Sequence, residues 1–246
     1  RPERSCKAIR YLFSVRYYFD EVTPDNLEPE GIDLPGFSYY DTQNGFHIYK
    51  NDYALPMGFT FDTYVSRSQW ETYSESDRCN LLLRALVLED DAVETYQKDM
   101  QKLPDAVHQM SDEDLLAECT ERAKTACDSF TYNSKGFHAT ISTDHANLVF
   151  FSVPWEEGWS AEVNSEPVSI EKADIGFMAV PVAAGDSEIT FTYHTPGLKA
   201  GALLSLGGLI LFAGYLTVAG IYNKRHPNPK TESICCVDYS TEETAN

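Results

Sequence analysis

The strongest constraint on this chain lies near its C-terminus. There "AGALLSLGGLILFAGYLTVAGIY", Ala200 to Tyr222, runs for 23 positions without a charged side chain. At 1.5 Å per residue such a helix is about 34 Å long, enough to cross a hydrocarbon core of about 30 Å. A buried helix in a water-soluble domain seldom runs so far without a polar stripe. Gly201, Gly207, Gly208, Gly214 and Gly220 weaken a helix in water but allow close packing in lipid. Residues 198–222 therefore read as a transmembrane helix, and the lipid bilayer is an expected partner.

The flanks orient it. Lys224, Arg225 and Lys230 follow the segment and Lys199 alone precedes it, which places the 223–246 tail in the cytoplasm and residues 1–197 outside. The net charge of −19 falls almost entirely in the outward part. A phosphate backbone would be repelled by it, so nucleic acid is not expected as a partner. The start, "RPERSCKAIR", carries neither an initiator Met nor a signal peptide, yet an outward domain must be exported. The expectation is a fragment, or a chain preceded by earlier transmembrane segments.

With 43% hydrophobic residues, the remainder can build a real core. "AIRYLFSVRYYF" at 8–19 and "FSYYDTQNGFHIYK" at 37–50 are rich in β-formers, and Asn44-Gly45 is a strong hairpin signal because both turn positions need positive φ. Residues 20–36 read as a loop, and 55–65 returns to strand character. The period then changes over about 75–128. A cap at Ser76 would place Cys79, Leu82, Leu83, Leu86 and Val87 on one helix face, and Ser111 with Asp114 forms a capping box before Leu115, Leu116, Cys119 and Ala123. The polar stretch 92–110 has no clear period. From Gly136 to His194 short strands alternate with turns at sandwich spacing. The expected fold is α+β and mainly β. A β-rich part with a hairpin (1–74), a helical insertion (75–130) and a β-sandwich-like part (131–197) precede the transmembrane helix and tail.

Six cysteines leave the redox question open. Cys119 and Cys127, eight apart on an expected helix, would lie about 12 Å apart along its axis, beyond disulfide reach, and read as core residues. Cys6 and Cys79 can pair, though nothing in the sequence requires it, while Cys235 and Cys236 fall in the tail. No spacing suggests a metal site, and no cofactor is expected.

The chemistry-bearing stretch is "VPWEEGWSAEVNSEPV", 153–168, with Glu156 and Glu157 between two tryptophans. Val149–Val153 reads as a strand that Pro154 stops, Glu156-Glu157-Gly158 as a turn, and Trp159 as the start of the next strand. Glycoside hydrolysis needs two opposed carboxyls about 5 to 9 Å apart in a cleft, which adjacent residues at one tip do not supply. Trp159 and Phe177 read as core. Asp144-His145 falls between strands, where both are ordinary turn residues, and no serine or cysteine sits in a nucleophile elbow. A hydrolase is therefore disfavoured and no catalytic residue is assigned. Trp155, Glu156 and Glu157 are the candidate carbohydrate contact, because an aromatic face can stack on a sugar while carboxylates accept its hydroxyl protons.

Longer phrases carry a resemblance. A strand ending in Ser152-Val153-Pro154-Trp155 is followed by "GWSAEVN", "GFMAV", "AG" before a strand, and "YHTPGL" entering the apolar helix; upstream stands "YKNDYALPMG". In this order they resemble the C-terminal region of the YfhO-like bacterial membrane proteins, with Ser165 standing where a turn glycine is common. The resemblance implies a polytopic GT-C-type glycosyltransferase of the cell membrane. Such an enzyme takes a sugar from a polyprenyl phosphate and places it on a cell-envelope polymer such as lipoteichoic acid. Its catalytic acidic residue would lie in an early outward loop, upstream of this chain. Upstream transmembrane helices and an envelope glycopolymer are then implied partners. The alternative is a membrane-anchored carbohydrate-binding or structural module without a transferase core.

Overall fold

The structure, a computed structural model, describes residues 6–104 and 110–226. Cys235, Cys236, Lys230 and nearly all of the expected cytoplasmic tail lie outside the described residues. The described residues divide into two units, one ending at His194 and the other beginning at Thr195.

The first unit opens with a short helix, α1 (Ala8–Leu12), followed by β1 (Tyr17–Glu21), β2 (Phe37–Gln43) and β3 (Phe46–Asn51). The expectation of a strand from residue 8 is corrected: Ala8, Tyr11 and Leu12 fall at i, i+3 and i+4, and all three are buried. A β-rich composition concealed this helical period. The strands form a three-stranded antiparallel sheet in the order β1-β3-β2, turned at Asn44 (φ 51°) and Gly45 (φ 79°) as the hairpin signal requires.

Next come β4 (Phe59–Thr60), β5 (Thr63–Ser66), α2 (Arg67–Thr72), α3 (Glu75–Leu81), β6 (Leu86–Leu88), α4 (Asp90–Tyr96), β7 (Gln101–Lys102) and α5 (Asp112–Lys124). Ser66, Ser74 and Ser111 cap α2, α3 and α5, and Ser111 makes the expected capping box with Asp114. Two expectations fail here. The α3 cap is Ser74 rather than Ser76, and the helix stops at Leu81. Leu86 and Val87 lie instead in β6, buried on both faces, where a short apolar run carries no period that separates strand from helix. Cys127 also falls beyond the end of α5, although neither it nor Cys119 is disulfide-bonded.

The remaining strands are β8 (Ser129–Asn133), β9 (Gly136–Thr143), β10 (Asn147–Pro154), β11 (Trp159–Val163), β12 (Glu166–Val168), β13 (Glu171–Ala173), β14 (Phe177–Val182) and β15 (Gly185–Tyr193). They divide between two sheets. A five-stranded antiparallel sheet runs β12-β11-β15-β9-β8, and a seven-stranded mixed sheet runs β4-β10-β14-β13-β6-β5-β7, with β5 parallel to both β6 and β7. Because side chains alternate along a strand, β10 sends Leu148 and Phe150 to one core and Val149 and Phe151 to another. The first core also holds Tyr11, Trp70, Leu81, Leu115 and Cys119 from the helices. The second joins Met178 and Val180 of β14 to Phe137, Ala139, Ile189 and Phe191 of the five-stranded sheet. A disulfide links Cys6 to Cys79, with Cα atoms 5.5 Å apart.

The second unit is α6 (Leu198–Arg225), 28 residues whose most apolar 18-residue stretch has a mean hydropathy of 2.0. None of its residues is buried, so its apolar surface is open all round. In water that surface would be strongly unfavourable, and in hydrocarbon it is matched to its solvent.

Candidate carbohydrate-contact groove

The tip between β10 and β11 is built by backbone necessity. Pro154 ends β10, and the next amide, of Trp155, donates to the Gly176 carbonyl at 2.8 Å, which ties the tip to the turn between β13 and β14. The chain then reverses, with Trp159 N–H donating to the Glu156 carbonyl at 3.1 Å and His194 N–H to the Gly158 carbonyl at 2.8 Å. A Cβ at position 158 would lie 2.5 Å from the His194 carbonyl oxygen and 2.6 Å from the Tyr193 ring. Only glycine allows β15 to pass this close.

Trp155, Glu156 and Glu157 are brought together with Trp159, Ser160 and Ile170 around a groove of about 340 Å³. Trp155 is half-buried against the second core, and the Lys172 ammonium stands 3.9 Å from its ring centroid. That cation–π contact fixes the indole plane. Glu156 is exposed and its Oε2 accepts the Tyr193 hydroxyl at 2.8 Å, which holds the Tyr193 proton above the ordinary tyrosine range. Glu157 is exposed and makes no hydrogen bond or ion pair among the described residues, leaving both oxygens available. The two carboxylates are neighbours on one tip rather than opposed across a cleft. The arrangement can accept hydroxyl protons beside an aromatic surface; it does not frame a leaving group between acid and base.

Trp159 and Phe177 were expected in the core and are half-buried instead. Trp159 lies at the groove edge, its ring 5.6 Å from Phe137 and 5.0 Å from Tyr193, so one side packs and the other lines the groove. Lys172 and Tyr193 are neighbours of the candidate residues that the sequence reading missed. They lie 17 and 38 residues from Trp155, and only the strand pairing brings them in.

Other chemistry is remote. His145 lines a separate polar pocket of about 680 Å³ with Asp62, Lys98 and Asp99, and among the described residues no serine or cysteine lines it. Burial pushes the Cys119 and Cys127 thiols up to about 12, so neither is a ready thiolate. Among the described residues no group of three or more His, Cys, Asp or Glu could hold a metal ion.

The family model described as bacterial membrane protein YfhO matches residues 7–118 and 106–205. An uncharacterized protein YfhO of Bacillus subtilis (strain 168) is 29% identical over 121 residues, which cover 49% of this chain and 13% of that protein's length. The chain thus matches only a small part of that relative. No solved structure matches.

Proposed function

The chain belongs to the YfhO family of bacterial membrane proteins, and from that premise we propose that it is a noncatalytic outward part of a polyprenyl-phosphate-sugar-dependent glycosyltransferase, with a membrane helix. In this reading residues 1–197 lie outside the cell and hold an envelope glycopolymer, such as lipoteichoic acid, while α6 spans the bilayer and the tail enters the cytoplasm. Catalytic residues belong upstream, in the part of the relative's length that this chain does not match.

The observation that carries the proposal is the groove. It combines a Trp155 ring held in place by Lys172, the edge of Trp159 and a carboxylate, Glu157, with unused acceptor capacity. The Cys6–Cys79 disulfide supports the outward placement, since such bonds persist on the oxidising side of a membrane.

Two experiments test it. Asp144 is exposed on a turn of the first unit, and Asp144→Cys should react with a membrane-impermeant maleimide on intact cells. Labelling only after lysis would reverse the topology. Trp155→Ala in the full-length parent protein should lower retention of the glycopolymer without unfolding the unit, because the ring is only half-buried; unchanged retention removes the groove from the proposal. If Trp155→Ala weakens retention but polymer glycosylation proceeds normally in cells lacking the parent protein, the carbohydrate-binding module without a transferase core becomes the better reading.

A further inference from the structure

Arg10, on the last turn of α1, is 8% exposed, yet it has one acceptor among the described residues: Nη1 donates to the Cys6 carbonyl at 3.3 Å. Guanidinium carries five N–H groups in a fixed fork, so most of its donor capacity is unused. Those nitrogens are not sealed in a dry core, because none of them is among the buried atoms without a partner. Arg10 lines a cavity of about 290 Å³ together with Tyr18, Asp20, Gly31 and Asp33.

The opposite wall is the 22–36 loop, and it is pinned from several sides. His47 Nε2 donates to the Asn26 carbonyl at 2.8 Å, Tyr49 Oη to the Glu30 carbonyl at 2.8 Å, and Tyr11 Oη to the Pro35 carbonyl. Lys7 pairs with Asp33 at 2.8 Å, and Asn26 Nδ2 donates to Asp20 at 3.2 Å. The loop is therefore pre-organised around the cavity. Arg10 and the two carboxylates line one space, yet no ion pair closes between them. Arg10 and Asp20 are opposite charges held apart in this cavity, beside the Lys7–Asp33 pair, and the space between them leaves room for a group that bridges them.

We infer that this cavity is a binding site for a neutral polyhydroxylated ligand, one sugar ring or a short polyol, with Arg10 donating and Asp20 and Asp33 accepting. An entering anion would meet two carboxylates, and an entering cation would meet the guanidinium and the Lys7 ammonium on Asp33. Hydroxyl groups satisfy both, since each donates and accepts. The volume lies at the lower end of the range for small-ligand pockets, about 300 to 1,000 Å³, which fits one ring better than a polymer segment. The choice of a sugar rests on the proposed function; the cavity and its unused donors do not.

The test uses the whole chain in lipid nanodiscs, avoiding sugar-headed detergents, with the Arg10 Nε–Hε resonance as reporter and D-glucose, inorganic phosphate and acetate as probes. Glucose should shift that resonance and saturate in the millimolar range, while phosphate and acetate leave it in place. Arg10→Met, which keeps the aliphatic stem, should weaken glucose binding by roughly tenfold or more. If this variant does not fold, the wild-type titration and Asp33→Asn, at an exposed position, carry the same decision. A shift with phosphate or acetate but not glucose overturns the neutral-ligand assignment. No shift with any probe leaves Arg10 a hydrated strut. Glucose that moves only the Trp155 and Trp159 indole signals overturns this site and leaves the groove standing, whereas movement at Arg10 with silent indoles supports the cavity and counts against the groove.

Discussion

Removing the Cys6–Cys79 disulfide tests the fold and the topology together. The bond closes a loop with a sequence separation of 73 and ties α1 to α3, two helices that contribute to the same core. Chain-entropy arguments assign such a loop about 4 kcal/mol of stabilisation, mostly by restricting the unfolded state. At about 2 to 4 °C per kcal/mol for a unit of this size, the midpoint should fall by about 10 °C. Cys6→Ala/Cys79→Ala is the suitable variant, since serine at the nearly buried position 79 would add an unpaired hydroxyl. Thermal unfolding followed by near-UV circular dichroism compares the variant with wild type, with and without reductant. Wild type under reductant should approach the variant, and the variant should ignore reductant. Alkylation of the protein denatured directly from cells, followed by mass spectrometry, should find Cys6 and Cys79 unmodified. Full alkylation of both cysteines, or a variant melting within about 2 °C of wild type, would refute the bridge and remove the main physical support for an outward domain.

Three further outcomes follow from the packing. Phe137, 6% exposed and stacked 4.4 Å from Phe191, should cost about 3 to 5 kcal/mol as Phe137→Ala, whereas half-buried Trp159→Ala should cost about half as much; equal losses in urea titrations would contradict the assigned burial. Gly158→Ala should destabilise by about 1 to 3 kcal/mol, because the new methyl meets the backbone of His194, and a neutral melting temperature would show that β15 can move aside. Burial pushes the Asp174 carboxyl up to about 8, the Val87 N–H bond offsetting only part of the shift. A carboxyl whose folded value is raised contributes stability that is present below the unfolded value, about 4, and lost as pH rises through about 8. Asp174→Asn keeps an oxygen for Val87 N–H and cannot ionise, so its stability relative to wild type should increase between about pH 4 and pH 8 and level off above; a pH-independent difference would show that Asp174 ionises in the folded unit as readily as in the unfolded chain.

Local signals were legible where local physics decides. Asn44-Gly45 turned a hairpin because the pair tolerates positive φ, and Ser111 capped α5 because its hydroxyl satisfies a free helix amide. The strands from Gly136 onward were marked by turn residues at regular intervals. Failures came where distant packing settles an ambiguous run. Leu86–Leu88 has no period of its own and becomes a strand because β5 and β13 flank it. Glu166–Val168 and Glu171–Ala173 are separated by only two residues, yet they pair with different sheets. No short-range signal reports which sheet will receive a strand.

The same distinction explains the candidate sites. Trp155, Glu156 and Glu157 could be picked out because they are consecutive, whereas Lys172 and Tyr193 join them only through strand pairing. Arg10 was still less visible, since its neighbours Asp20 and Asp33 lie on a strand and a loop whose positions depend on His47 and Tyr49 of another strand. The turn at Asp174 (φ 44°) and Ile175 (φ 72°) is the extreme case. A β-branched residue in the left-handed region is strained locally by about 1 to 3 kcal/mol, so propensity alone argues against that turn. It persists because Asp174 accepts the Val87 amide at 2.9 Å while its own amide donates to the Val87 carbonyl at 2.9 Å, clamping the turn to β6 from both sides. Gly176, the next residue, accepts the Trp155 amide, so the clamp also fixes one end of the groove. Relaxing the turn with Ile175→Gly should therefore leave the unit folded, or slightly more stable, and a groove whose binding is unchanged would show that Trp155 is positioned by the second core and Lys172 alone.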